Sequence, residues 1–184
     1  SSTLNVSDMD VSASTPHVIQ DVDVTTMIDS TFAGDATITL THTPPTGAAR
    51  SVTLVSPETS VRTWDHQDNL WQNRLFDDQA GQTAMTARGD ANGPAAGAVA
   101  PQAKLAAFNG MDPRGTWTLT VKDSADRYVA PTPGDDVTPA DPGVADNGAL
   151  KGFSLSITSA KTADVPASTT TTVASTAPSV AIPD

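Results

Sequence analysis

Residues 31–47 read TFAGDATITLTHTPPTG, and the period of this stretch decides the class of fold. Ala36, Ile38, Leu40 and His42 fall on one side of an extended chain, while Thr37, Thr39 and Thr41 fall on the other. Successive side chains of a strand point to opposite faces, so the stretch reads as a strand with one buried and one wet face. Pro44, Pro45 and Gly47 then end it, because proline gives no amide to a ladder and glycine accepts the backbone angles of a turn. The same register returns along the chain. SVTL (51–54) turns Val52 and Leu54 inward, TWTLTVKD (116–123) turns Trp117, Leu119 and Val121 inward, and GFSLSIT (152–158) does so with Phe153, Leu155 and Ile157. VIQDVDVTTMI (18–28) places Val18, Val22, Val24 and Ile28 on one side and Asp21 and Asp23 on the other.

Between these runs lie HTPPTG, RGDANGPAAG, NGMDPRG and PTPGDDVTPADPGVADNG, all rich in residues that bend chains or end strands. Many short strands with Pro/Gly turns imply an all-β protein, an antiparallel sandwich or jelly roll with almost no helix. The one helical candidate is a turn or two in PQAKLAAF (101–108).

A chain of 184 residues suits one domain and can bury a core unaided. It has no cysteine, which excludes disulfides, thiolate metal sites and a cysteine nucleophile. Net charge is −11, and Glu58 is the one glutamate among 21 acidic residues. That balance, with scattered Lys and Arg, argues against nucleic acid and anionic membranes as partners. No run of 18 apolar residues is present, so no membrane-spanning helix is expected. The chain opens at Ser1 without a signal segment; processing after one would place it outside the cell or at its surface, which is the expectation.

The expected domain covers residues 1–160. Past it, 161–184 is mostly Thr, Ser, Ala, Pro and Val with neither aromatic residue nor glycine, the composition of a linker or stalk. β-Branched residues in an extended segment are suited to adding a strand to an open sheet edge. Composition leaves open whether that edge belongs to the same molecule or to a neighbour; the leading expectation is a strand donated to a neighbouring subunit, burying Val173, Val180 and Ile182 there. Repeated head to tail, such donation builds an open filament.

Four stretches, TFAGDATITLTHTPPTG, NRLFDDQA, LAAFNGMDPRGTWTLTVKDSA and NGALKGFSLSI, together resemble the P domain, or Homo B domain. This domain follows the catalytic domain in kexin- and furin-like proprotein convertases and in secreted bacterial subtilisin-like proteases. The stretches occur in the family's order across residues 5–160. The resemblance implies an eight-stranded jelly-roll sandwich without catalytic residues of its own, and a protease catalytic domain as an alternative partner. Two departures stand out: Phe153 replaces a usual tryptophan, and RYVAPTPGDDVTPADPGVAD lengthens one turn.

The sequence offers little for catalysis. His17, His42 and His66 are its histidines, and neither a Gly-x-Ser-x-Gly elbow nor a His-Glu-x-x-His pair occurs. Calcium is the stronger chemical expectation, because it takes six to eight oxygen ligands and loops at one end of a sandwich can gather them. The candidate ligands are Asp35, Asp77, Asp78, Asp123 and Asp146. The competing reading is that aspartates at strand ends cap turns through nearby amides. Trp64 and Trp71 flank DHQDNL and serve either as a sugar-stacking platform in a carbohydrate-binding module or as cover for a sandwich edge. Arg88 to Asp90 spell an adhesion-like RGD, read as a turn.

Overall fold

The computed structural model describes residues 1–7, 16–29, 36–57, 71–84, 97–123, 148–162, 168–174 and 180–182. Within them lie ten strands: β1 (Ser2–Val6), β2 (His17–Asp29), β3 (Ala36–Thr43), β4 (Arg50–Val55), β5 (Gln72–Phe76), β6 (Ala98–Val99), β7 (Gly115–Asp123), β8 (Gly148–Lys161), β9 (Ser168–Ala174) and β10 (Val180–Ile182). They form an all-β sandwich. One sheet runs β1-β7-β3-β4, and the other runs β10-β8-β2-β5-β6 with β9 also on β8. Every pairing is antiparallel except β5 with β6.

The period-2 reading is what the strands obey. Ile38, Leu40, Trp117, Leu119, Phe153, Leu155 and Ile157 are all fully buried and join one cluster fed by both sheets. Burying a side chain of this size contributes about 1.5–3 kcal/mol, so the facing stripes are the main attraction between the sheets. Trp117 lies in this core, stacked 3.9 Å from His42 and edge-on to Phe108 at 5.0 Å. Its indole N–H donates to the carbonyl of Pro113 at 3.1 Å.

Bulges alter two of the expected faces. In β2 the pairing with β8 steps from Ile19–Ser159 to Asp21–Thr158, leaving Gln20 without an opposite residue. The slip reverses the alternation, so Ile19 is fully buried where Val18 was expected. In β4, Ile38 faces Val55 and Thr39 faces Thr53, which leaves Leu54 extra and buries Leu54 and Val55 side by side.

Gly115 begins β7 under a steric constraint. It has a φ of +119°, and a Cβ there would stand 2.2 Å from the carbonyl oxygen of Thr43. Only glycine meets both conditions, because the contact is with backbone that cannot swing aside. The helical candidate is present as one 3-10 turn, Leu105–Phe108.

Candidate functional site

The segment 97–112 crosses from one sheet to the other, and two of the aspartates singled out in sequence, Asp77 and Asp78, bond to its backbone. Val99 accepts from the amide of Asp77 at 3.0 Å, and Ala100 pairs with Gln82 and Ala84. Gln102 and Ala103 donate to the carbonyls of Leu54 and Thr53 at the outer edge of β4 (2.9 and 3.0 Å). Leu105 and Phe108 enter the core. The segment then closes on β2, where Gly110 donates to Ile19 at 2.8 Å and Ile19 donates to Met111 at 2.9 Å. A strap of this kind must satisfy its buried amides wherever it leaves a ladder.

Asp78 does this for the 3-10 turn. One carboxylate oxygen accepts the amide of Leu105 and the other accepts that of Ala106, both at 2.9 Å, while Lys104 Nζ donates to the Asp78 carbonyl at 2.9 Å. A short helix leaves its first amides without intrahelical partners, and a carboxylate is a strong acceptor for them. Asp77 closes a local turn by accepting the amide of Gln79 at 2.6 Å. Two of the five candidate calcium ligands are thus occupied as caps. Among the described residues no three acidic or histidine side chains are grouped to hold a metal ion, and the hydrogen bonds of Asp77 and Asp78 are those of the competing capping reading. Asp35 and Asp146 lie outside the described residues. Asp123 ends β7 opposite Ala36, and its side chain is outside them too.

Asp21 and Asp23, on the outer face of β2, complete an acidic patch with Asp77 and Asp78. The Asp23 carboxyl is pushed up to about 6, first by burial and then by the negative charges of Asp21, Asp77 and Asp78. Gln79 tempers the patch slightly, donating to Asp21 at 3.4 Å.

His42 belongs to the core. Its Nε2 lies 2.7 Å from the carbonyl of Asp112, and since a carbonyl only accepts, that nitrogen carries the proton. Burial holds the imidazole below its ordinary range, against the opposing pull of the Asp112 and Thr116 carbonyls. Asp112 is itself held below the usual carboxylate range by hydrogen bonds from Arg114, whose Nη2 and Nε reach it at 2.6 and 3.0 Å. Sequence reading passed over this pair because it sits inside the turn NGMDPRG, where aspartate and arginine look like ordinary surface residues. Beside it Asn5, Ser7, Pro45 and Arg114 border an open depression of about 360 Å³, and among the described residues that line it Arg114 is the one titratable group.

Trp71 is fully buried, its ring 5.8 Å from Phe76 and its carbonyl accepting from the hydroxyl of Thr26. It has no open face for a sugar, which corrects that expectation. Trp64, His66 and the RGD tripeptide lie outside the described residues.

The tail corrects a second expectation. β9 and β10 pair with the chain's own β8. Ser168 to Ala174 face Ala160 to Ser154, and Val180 to Ile182 face Leu150 to Gly148, so both pieces run the same way along one edge. Val173 packs against the chain's own core, and Val180 and Ile182 take register positions opposite Leu150 and Gly148. The reason is proximity: the tail leaves β8 directly, and a short return beside it closes the smallest loop open to it.

No protein-family model, no curated protein and no solved structure matches the chain.

Two outcomes test the roles given to these carboxylates. Asp78→Ala removes both caps and is expected to cost about 2 kcal/mol, lowering the melting temperature by roughly 4–8 °C. An unchanged melt, together with a calcium-induced stabilisation that the variant loses, would mark Asp78 as a ligand. Asp23 binds its proton more tightly folded than unfolded, so its ionisation removes stability as pH rises from about 4 to about 6. In urea titrations the stability of Asp23→Asn relative to the parent should climb across that window and level off above it. Parallel curves would contradict the assignment.

Proposed function

We propose that the chain is a non-catalytic structural module of the P-domain type, a jelly-roll sandwich that works outside the cell and completes its second sheet with its own C-terminal segment. The observation that carries the reading is the seating of β9 and β10 on β8. A segment with the composition of a stalk is used here as a structural edge, which suits a unit that must hold its shape alone. Chain order supports the jelly roll: β1 lies in one sheet, β2 in the other, β3 and β4 return to the first, β5 and β6 to the second, β7 to the first and β8 to the second.

The four P-domain-like stretches support the family reading by meeting one another. β3 and β7 pair over eight positions, from Ala36–Asp123 to Thr43–Thr116. Asp78 of NRLFDDQA takes the amides at the start of LAAFNG. That meeting also favours a second reading, in which the sandwich is the accessory domain of a calcium-dependent subtilisin-like protease and acts by steadying a catalytic domain.

Thermal unfolding separates the two. A self-sufficient module melts alone in one cooperative transition, and removing residues 163–184 bares the edge of β8 and lowers the midpoint by roughly 5–10 °C. An equal midpoint for the shortened chain would refute the structural role of the tail. A chain that folds only beside a catalytic domain would establish the accessory reading instead.

A further inference from the structure

The tail protects β8 but moves the open edge of the sheet outward to β9. Among the described residues no strand pairs with the far side of β9. Such an edge presents a row of amides and carbonyls that another strand can match, and proteins usually block it with charge, proline, a bulge or a covering loop. β9 carries none of the sequence devices: STTTTVA has no charged residue, no proline and no glycine. The β4 edge of the other sheet shows the contrast, because Gln102 and Ala103 donate to it, whereas β1 at its far edge is uncharged like β9.

We propose that the outer edge of β9 pairs antiparallel with β9 of a second copy of this chain, so that the two six-stranded sheets become one continuous sheet across a two-fold axis. Two observations select a second copy. Charge is the first: a chain of net charge −11 meets its own copy with least local repulsion along an uncharged strip, and β9 carries no charged residue. The second is chemical self-matching. The molecule already joins neighbouring strands through opposed hydroxyls, at Thr158–Thr170 (2.9 Å), Thr41–Ser51 (2.8 Å) and Thr3–Thr118 (3.5 Å). Thr170 and Thr172 on β9 offer the same pairing to a reversed copy of themselves, Thr170 of one copy facing Thr172 of the other. Thr170 and Thr172 are exposed on the outer face, while Thr171 and Val173 face the core side opposite Ile157 and Leu155. The contact is isologous and closes as a dimer. The inference rests on the tail being a structural edge, as proposed above.

Sedimentation of the full chain across a concentration series tests it. The parent should move reversibly from monomer to dimer. The double variant Thr170→Asp, Thr172→Asp sets like charges opposite one another twice by symmetry and should weaken the dimer about tenfold or more. Thr170→Lys, Thr172→Lys should do the same, and an equimolar mixture of the two variants should pair again. Substitution at 170 also gives up the hydroxyl pair with Thr158, so melting temperatures should fall by less than removal of the tail causes, with a single cooperative transition showing that the fold is retained. Thr120→Asp, exposed on β7, should leave association unchanged. The pairing is overturned by a parent that stays monomeric, by a double variant that dimerises as tightly as the parent, or by a mixture of variants that fails to associate. A monomeric parent whose shortened form still melts lower would sink this inference and leave the structural role of the tail intact.

Discussion

β8 is a strand of fourteen residues, and a strand in the middle of a sheet needs a partner on each side. On one side it has β2, in register from His17–Lys161 to Asp29–Ala149. On the other it has only the tail among the described residues. Leu150, Phe153, Leu155 and Ile157 on β8 are all buried, so the backbone beside them sits at the rim of the core, where unpaired amides and carbonyls are costly. That requirement makes a Thr-rich segment without aromatic anchors into part of the fold. Val173 adds modest burial, and the Thr158–Thr170 hydroxyl pair links the strands on the outer face.

The strap 97–112 meets the matching need at the opposite side of the sandwich. It reaches β2, β4 and the end of β5 through backbone hydrogen bonds. The first amides of its 3-10 turn have no partner within the strap, and Asp78, just past the end of β5, accepts both. Placing that carboxylate close to Asp21, Asp23 and Asp77 concentrates negative charge, and the raised proton affinity of Asp23 is the consequence. Of the aspartates that resemble a calcium site in sequence, Asp77 and Asp78 bond in this way to backbone amides.

What the sequence revealed and what it hid divides along physical lines. Alternation in β3, β7 and β8 was plain, because each strand has one face in the core and one in water. The inward places of Trp117 and His42 followed from the same rule. Ile19 was missed since a bulge reverses the alternation, and nothing in VIQDV marks where the extra residue falls. Trp71 was read as part of a polar loop because WDHQDNLW has no period, yet the ring fills the core beside Phe76. The cap from Asp78 to Leu105 and Ala106 spans 27 and 28 residues, a distance at which no local pattern carries information. The tail was legible as an extended strand, but its destination was not, because a strand paired with its own neighbour and one donated to another molecule have the same composition.

The destination of the tail is therefore the point on which the account is most directly measured. Thr158 and Thr170 face one another across β8 and β9, close enough for Thr158→Cys and Thr170→Cys to form a disulfide. Oxidised at low concentration, the double variant should close within single chains and run as a covalent monomer on a non-reducing gel. A ladder of covalent oligomers would show that the tail docks on a neighbour and would contradict the account.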